Sequence, residues 1–178
     1  MDRKAKIAFG GGCHWCTEAV FQSLLGVKKV EQGFVASIGN QSTFSEAVIV
    51  HFSPCIISLK TLIEIHLHTH KSTVAHAMRT KYRSAIYYFS EEQKIEAETQ
   101  LNNFQTEFNN NLITKVYPFS RFKASREAIQ NYYQKNPNKP FCERFINPKL
   151  NLLMRNFQDV VDTEFIPDHV KSERTTTK

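Results

Sequence analysis

A chain of 178 residues, 41% hydrophobic and 22% charged, carries enough apolar material for one core of ordinary size. No apolar run nears the roughly 20 residues that span a bilayer, and the formal charge of +6 comes from scattered residues with neither a basic helix nor an RNA-binding aromatic signature, so no membrane or nucleic-acid partner is expected. Four unevenly spaced cysteines are too few to staple a small secreted domain, and residues 1–6 lack the apolar stretch of a secretory signal, which together predict a cytoplasmic protein with free thiols.

In chain order, residues 4–9 predict a strand and residues 13–25 a helix whose Val20, Phe21, Leu24 and Leu25 form a buried stripe, with Gly26 as its C-cap. Residues 27–36 predict a second strand with Val27, Val30 and Phe34 facing inward, and residues 45–52 a third, which Ser53-Pro54 breaks. Ser58 is placed to cap a helix over residues 59–70, where Leu62, Ile63, His66 and Leu67 recur at helical spacing. YRSAIYYF predicts a fourth strand, and Ser90-Glu91-Glu92-Gln93 has the spacing of a capping box opening a long helix. This β-α-β-β-α-β order predicts an α+β fold, a ferredoxin-like two-layer sandwich with two helices on one face of an antiparallel sheet. A C-terminal helical and loop extension follows: a strand in ITKVYPF, a short helix over residues 126–133, a loop at 136–140, and a last helix over 149–157 with Asn147 as N-cap and Pro148 at N1. A single domain over residues 1–160 is expected, with residues 161–178 as a disordered tail.

Chemistry concentrates in Gly10-Gly11-Gly12-Cys13-His14-Trp15-Cys16-Thr17-Glu18, between the first strand and the first helix. The glycines permit a sharp turn and close approach by another molecule. Cys13 then sits at a helix start, where unpaired N–H groups and the positive end of the macrodipole favour a thiolate. An unperturbed thiol is only about 3% ionised at pH 7, so this position matters for a nucleophile.

The run AFGGGCHWCTEAVFQSLLGV resembles the active-site segment of the A class of peptide methionine sulfoxide reductases, whose signature is Gly-Cys-Phe-Trp. KYRSAIYYFSEEQK and YYQKNPNKPFC extend the resemblance over about residues 6–157. It implies a monomeric enzyme that reduces the S epimer of methionine sulfoxide, free or within oxidised proteins. The enzyme would need no metal or organic cofactor and would be recycled by thioredoxin as external thiol reductant. By resemblance, Cys13 attacks the sulfoxide sulfur and becomes a sulfenic acid, Glu46 in SEAVIVHFSP donates the proton, and Tyr82 hydrogen-bonds the sulfoxide oxygen or its catalytic water. Trp15, with His14 at the family's Phe position, corresponds to the clamp around the substrate methyl. Cys142 resembles the C-terminal cysteine that resolves the sulfenic acid from a mobile loop, and Cys16, in a C-x-x-C pair with Cys13, is the alternative resolver. Cys55 has no assigned role.

Three departures from the family pattern stand out. His14 replaces an apolar ring; if protonated it would favour the Cys13 thiolate, although a helix N-terminus disfavours a charged histidine. The segment between Phe34 and Glu46 is short and lacks a second tyrosine, Phe44 being the nearest aromatic. The loop HKSTVAHAMRTKY has neither the family's glycines nor its aspartate, and adds Lys71, Arg79 and Lys81, so it must take another path. Together they predict an altered or weakened reductase; the alternative is a relative that keeps the fold for thiol redox sensing or partner binding. Zinc held by Cys13, Cys16 and the histidines at 66, 68 and 70 is disfavoured, because only His66 and His70 share a helix face and no second cysteine pair is present.

Overall fold

The computed structural model describes residues 3–172. Runs of β-branched and aromatic residues become six strands: β1 Ala5–Gly10, β2 Val27–Ala36, β3 Ser45–Phe52, β4 Ala85–Tyr88, β5 Lys115–Pro118 and β6 Arg121–Ala124. They form one mixed sheet in the order β5-β4-β1-β3-β2-β6, in which only the β4–β5 pair is parallel. The central strands are apolar on both faces, as expected where both are covered. On one face Ile7, Phe9, Val48, Val50, Phe52 and Ile86 join the main core with α1 (His14–Gln22), α2 (Leu59–Thr69), α3 (Glu91–Phe104) and α5 (Asn147–Asn156). On the other, Ala8, Ala47, Ile49 and Tyr87 pack against Phe89, Tyr117, Phe119 and Phe122. Gly10 pairs with both Ala47 and Ala85, so the end of β1 lies beside the starts of β3 and β4.

The caps follow the sequence closely. Ser58 Oγ accepts from Thr61 N at 3.1 Å, and Ser90 Oγ accepts from Gln93 N at 3.3 Å. Gln93 reaches back to Phe89 N at 2.8 Å instead of closing the box on Ser90. The first helix stops at Gln22 with Ser23 as C-cap, and Gly26, at φ +85°, serves the turn into β2.

Larger differences lie after β5. Strand β6 was not expected from RFKA; it adds to the edge of β2. The expected helix over 126–133 splits at Asn131, in the left-handed region at φ +54°, into a 3-10 turn and the short α4 (Tyr132–Lys135). A π-helical turn, Cys142–Ile146, runs into α5, and Asn147 accepts the Tyr133 hydroxyl at 2.6 Å instead of capping. The disordered tail expected from residue 161 is corrected. Val161 bridges to Leu24, Ile166 and Val170 are buried in the main core, and α6 (Asp168–Ser172) ends the described chain. Val161 thus lies beside Leu24 and Phe165 stacks on Tyr133 at 6.0 Å, covering core surface that water would otherwise reach. Residues 173–178 of that expected tail lie outside the described residues. Among the described residues no helix is long and apolar enough to cross a membrane.

Candidate active site

The glycine turn is shaped by what it passes over. A Cβ on Gly10 would lie 2.9 Å from Arg83 O and 3.0 Å from Glu46 O. Gly11, at φ +155°, runs over the His70 ring, where a Cβ would meet Cδ2 at 2.4 Å. Beneath it, His66 Nε2 donates to Gly10 O at 2.7 Å, while His70 Nδ1 donates to His66 O and its Nε2 accepts from Ser84 Oγ at 2.8 Å. Both rings are neutral supports. Burial holds His66 down at about 4 against the favourable Gly10 bond, and holds His70 well below its ordinary value. His66 Nδ1 is buried without a partner.

The turn delivers Cys13 as the N-cap of α1. Its thiol is lowered to about 7, chiefly because the Cys16 S–H donates to its sulfur. Burial opposes this, the Trp15 and Cys16 amides add to it, and the Glu46 charge works against it. Cys16 is correspondingly pushed far up, first by that bond and then by burial, so it stays a neutral donor. Lys149, from α5, donates to Thr69 O at the end of α2. Burial lowers Lys149, whereas the fields of Cys16 and Cys13 support its charge.

Glu46, near the start of β3, is buried and meets an unexpected partner. His14 Nε2 lies 3.0 Å from its Oε1, and His14 Nδ1 donates to Gly33 O at 2.8 Å. The ring expected in the substrate clamp is therefore withdrawn to 3% exposure, edge-on to Phe34 at 5.2 Å. Burial pulls His14 down, but the bonds to Glu46 and Gly33 and the charges of Glu46 and Cys13 outweigh it, and the net direction is up. Glu46 Oε2 is buried with no partner.

Trp15 stacks on Tyr132 at 4.1 Å and meets Phe141 edge-on at 5.2 Å. Tyr82, half-buried before β4, carries the Lys81 ammonium 5.0 Å from its ring centroid. The Tyr82 hydroxyl raises Lys81 first, and the fields of Glu46 and Cys13 add to it. Cys142 lies in the π turn at 0% exposure, its Sγ 3.5 Å from Asn136 O, and its field reaches Cys16. All four cysteines are free, and Cys55 is exposed.

Three residues that the sequence reading assigned no role hold this arrangement together. Glu18, 1% exposed, accepts from Gln32 Nε2, Asn131 N and Tyr132 N at 3.0–3.1 Å, which sets Tyr132 against Trp15. A signal was available: Glu18 follows His14 by four residues and precedes Phe21 by three, on the buried stripe. Arg79 donates to the carbonyls of Gly11, Tyr82, Val74 and Lys71, knitting the glycine-free loop to the turn. Lys149 had no such signal. Among the described residues a trio of potential metal ligands, Glu64, His68 and Glu107, includes neither cysteine, so the C-x-x-C pair does not join it.

Known proteins resemble this chain in sequence and in fold. A family model for peptide methionine sulfoxide reductase covers residues 5–161. A peptide methionine sulfoxide reductase from Sulfolobus acidocaldarius is 33% identical over 164 residues, 84% of this chain and 93% of that one. The fold resembles reduced Mxr1 from Saccharomyces cerevisiae, with a TM-score of 0.69 at 22% identity over 79% of this chain and 90% of that one. It also resembles Mxr1 in complex with Trx2, with a TM-score of 0.60 at 21% identity over 73% and 85%. With a match running from β1 to just past α5, the chain belongs to the peptide methionine sulfoxide reductase family.

Proposed function

We propose that the chain, a methionine sulfoxide reductase by family, reduces the S epimer with Cys13 as nucleophile, Glu46 as the carboxyl of the acid step, and Tyr82 beside the departing oxygen. The observation that carries this reading is the place of Cys13, the N-cap of α1 at the end of the glycine turn, where the Cys16 thiol and the Trp15 and Cys16 amides favour its thiolate. Attack forms the S–O bond of a Cys13 sulfenic acid and releases the thioether. Condensation with a second thiol then expels water, and an external dithiol reopens the disulfide. Cys142 is our choice of resolver, with Cys16 as the alternative. Cys142 is buried in the π turn with its field reaching Cys16, and Cys16 interacts with Cys13 directly. Thioredoxin as reductant is supported by the Trx2 complex of the related yeast protein. Trp15, Tyr132 and Phe141 make up the aromatic contact for the substrate methyl. We read the four inner strands, in the order β4-β1-β3-β2, as a ferredoxin-like core.

Dithiothreitol-driven reduction of each methionine sulfoxide epimer by wild type, Cys13→Ser and Glu46→Gln tests the reading. Wild type is expected to turn over the S epimer, and Cys13→Ser to fall to background. Equal activity in all three would overturn it, and a reactive Cys13 without turnover would favour the sensor alternative.

A further inference from the structure

The two bonds of His14 leave little freedom about where its protons are. Gly33 O can only accept, so Nδ1 carries a proton. The 3.0 Å contact from Nε2 to Glu46 Oε1 is stable only if one more proton lies between them, either as imidazolium and carboxylate or as imidazole and carboxylic acid. Without that proton, two lone pairs would face each other between side chains only 4% and 9% exposed. The geometry is built for a pair that holds one proton. The groups around it are Cys13 and Glu18 on α1, and Lys81 and Tyr82 before β4; from β2, Phe34 offers an apolar ring and Gly33 a carbonyl.

Resting on the reductase reading above, we propose that His14 and Glu46 work as a single acid, with His14 as the positioning residue that keeps a proton loaded on the pair for transfer to the sulfoxide oxygen at Cys13. An isolated carboxyl of ordinary acidity has surrendered its proton at neutral pH. A buried imidazole bonded to it supplies a proton that survives there. As the S–O bond to Cys13 forms, its sulfur loses two electrons. The sulfoxide sulfur gains those two as its own S–O bond breaks, and one proton passes to the moving oxygen. The products are the Cys13 sulfenic acid, the thioether, neutral His14 and the Glu46 carboxylate. Condensation with the resolving thiol releases water without net proton change. Reduction of the disulfide by the external dithiol regenerates the Cys13 thiol, whose ionisation frees one proton to reload the pair.

Two measurements test the pair, one of them independent of turnover. Imidazole resonances of His14, followed against pH in wild type and in Glu46→Gln, should show a ring that stays protonated above the ordinary histidine range in wild type and loses its proton at lower pH in the variant. Single-turnover methionine formation against pH should show an acidic limb from Cys13 and an alkaline limb that coincides with the His14 titration. In His14→Phe and His14→Gln the alkaline limb should move by about one pH unit or more, while the acidic limb remains. The glutamine variant is included because it can still donate to Gly33 O if the phenylalanine variant fails to fold. An unchanged alkaline limb in a folded variant, or a His14 titration indifferent to Glu46→Gln, overturns the pair. Full activity in Cys13→Ser would instead sink the reductase reading, and the imidazole titration would still decide whether the pair shares its proton.

Discussion

His14 and His66 are almost equally withdrawn from water, at 3% and 2% exposure, and each donates to a glycine carbonyl, yet they shift in opposite directions. His66 meets a carbonyl on one side and nothing on the other, so desolvation decides and the ring stays neutral. His14 meets a carbonyl and a carboxylate, and the carboxylate reverses the outcome. Burial alone therefore does not set the charge of a core histidine; the second partner does. The support beneath the turn is inert, while the pair beside Cys13 can carry a proton.

The comparison can be broken most sharply at its carboxylate. Glu46→Gln is expected to lower turnover by about 10²–10⁴-fold, the usual worth of a positioned general acid. Activity within a factor of two of wild type would remove the pair from the chemistry. The next effect is on stability. Below the ordinary histidine value the unfolded chain binds a proton at His66 that the folded chain refuses until about pH 4, so stability is lost as pH falls through that window. The loss amounts to roughly 3 kcal/mol between pH 6.5 and 4. His14 has the opposite sign: its raised value contributes stability that is fully present below the unfolded pKa and lost as pH rises through the folded one. Urea denaturation at pH 7 and pH 4.5 should show a shallower acid loss in His66→Leu than in wild type, and parallel slopes would refute the neutral reading.

Gly11→Ala probes the support from above. The new methyl would strike the His70 ring in a backbone region that disfavours side chains, at an expected cost of about 1–3 kcal/mol in unfolding free energy. Wild-type stability would mean the turn yields more easily than its contacts suggest. The smallest effect belongs to a third histidine. His51 lies 2.6 Å from Glu31 with about a third of each side chain exposed, so water screens the pair. His51→Gln should change stability by less than about 1 kcal/mol, and a larger loss by calorimetry would show that exposure is not what separates it from His14.

Much of this was legible in residue order. Strands β1 to β4, the caps at Ser58 and Ser90, and the Gly10–Glu18 stretch follow from local pattern, because periodicity and capping are local properties. The destination of His14 was not, since it depends on Gly33 and Glu46 arriving from two other strands. Arg79 could be seen as an extra charge in the loop, but not as the donor to four carbonyls that replaces the flexibility of the missing glycines. The segment after residue 160 was expected to be a disordered tail. Ile166 and Val170 are buried there all the same, since the core already has a surface for them to cover.

The two rims of the sheet have a bearing on how the protein survives at high concentration. Its edge strands, KVYP and RFKA, are each four residues long. One ends in Pro118, which has no amide to offer an incoming chain, and the other exposes Arg121 and Lys123, whose charges would repel a second copy of the same edge. The long apolar strands β1 and β3, which would template fibrils most readily, are kept in the middle. A sheet bordered in this way offers a second copy of the chain little edge with which to pair.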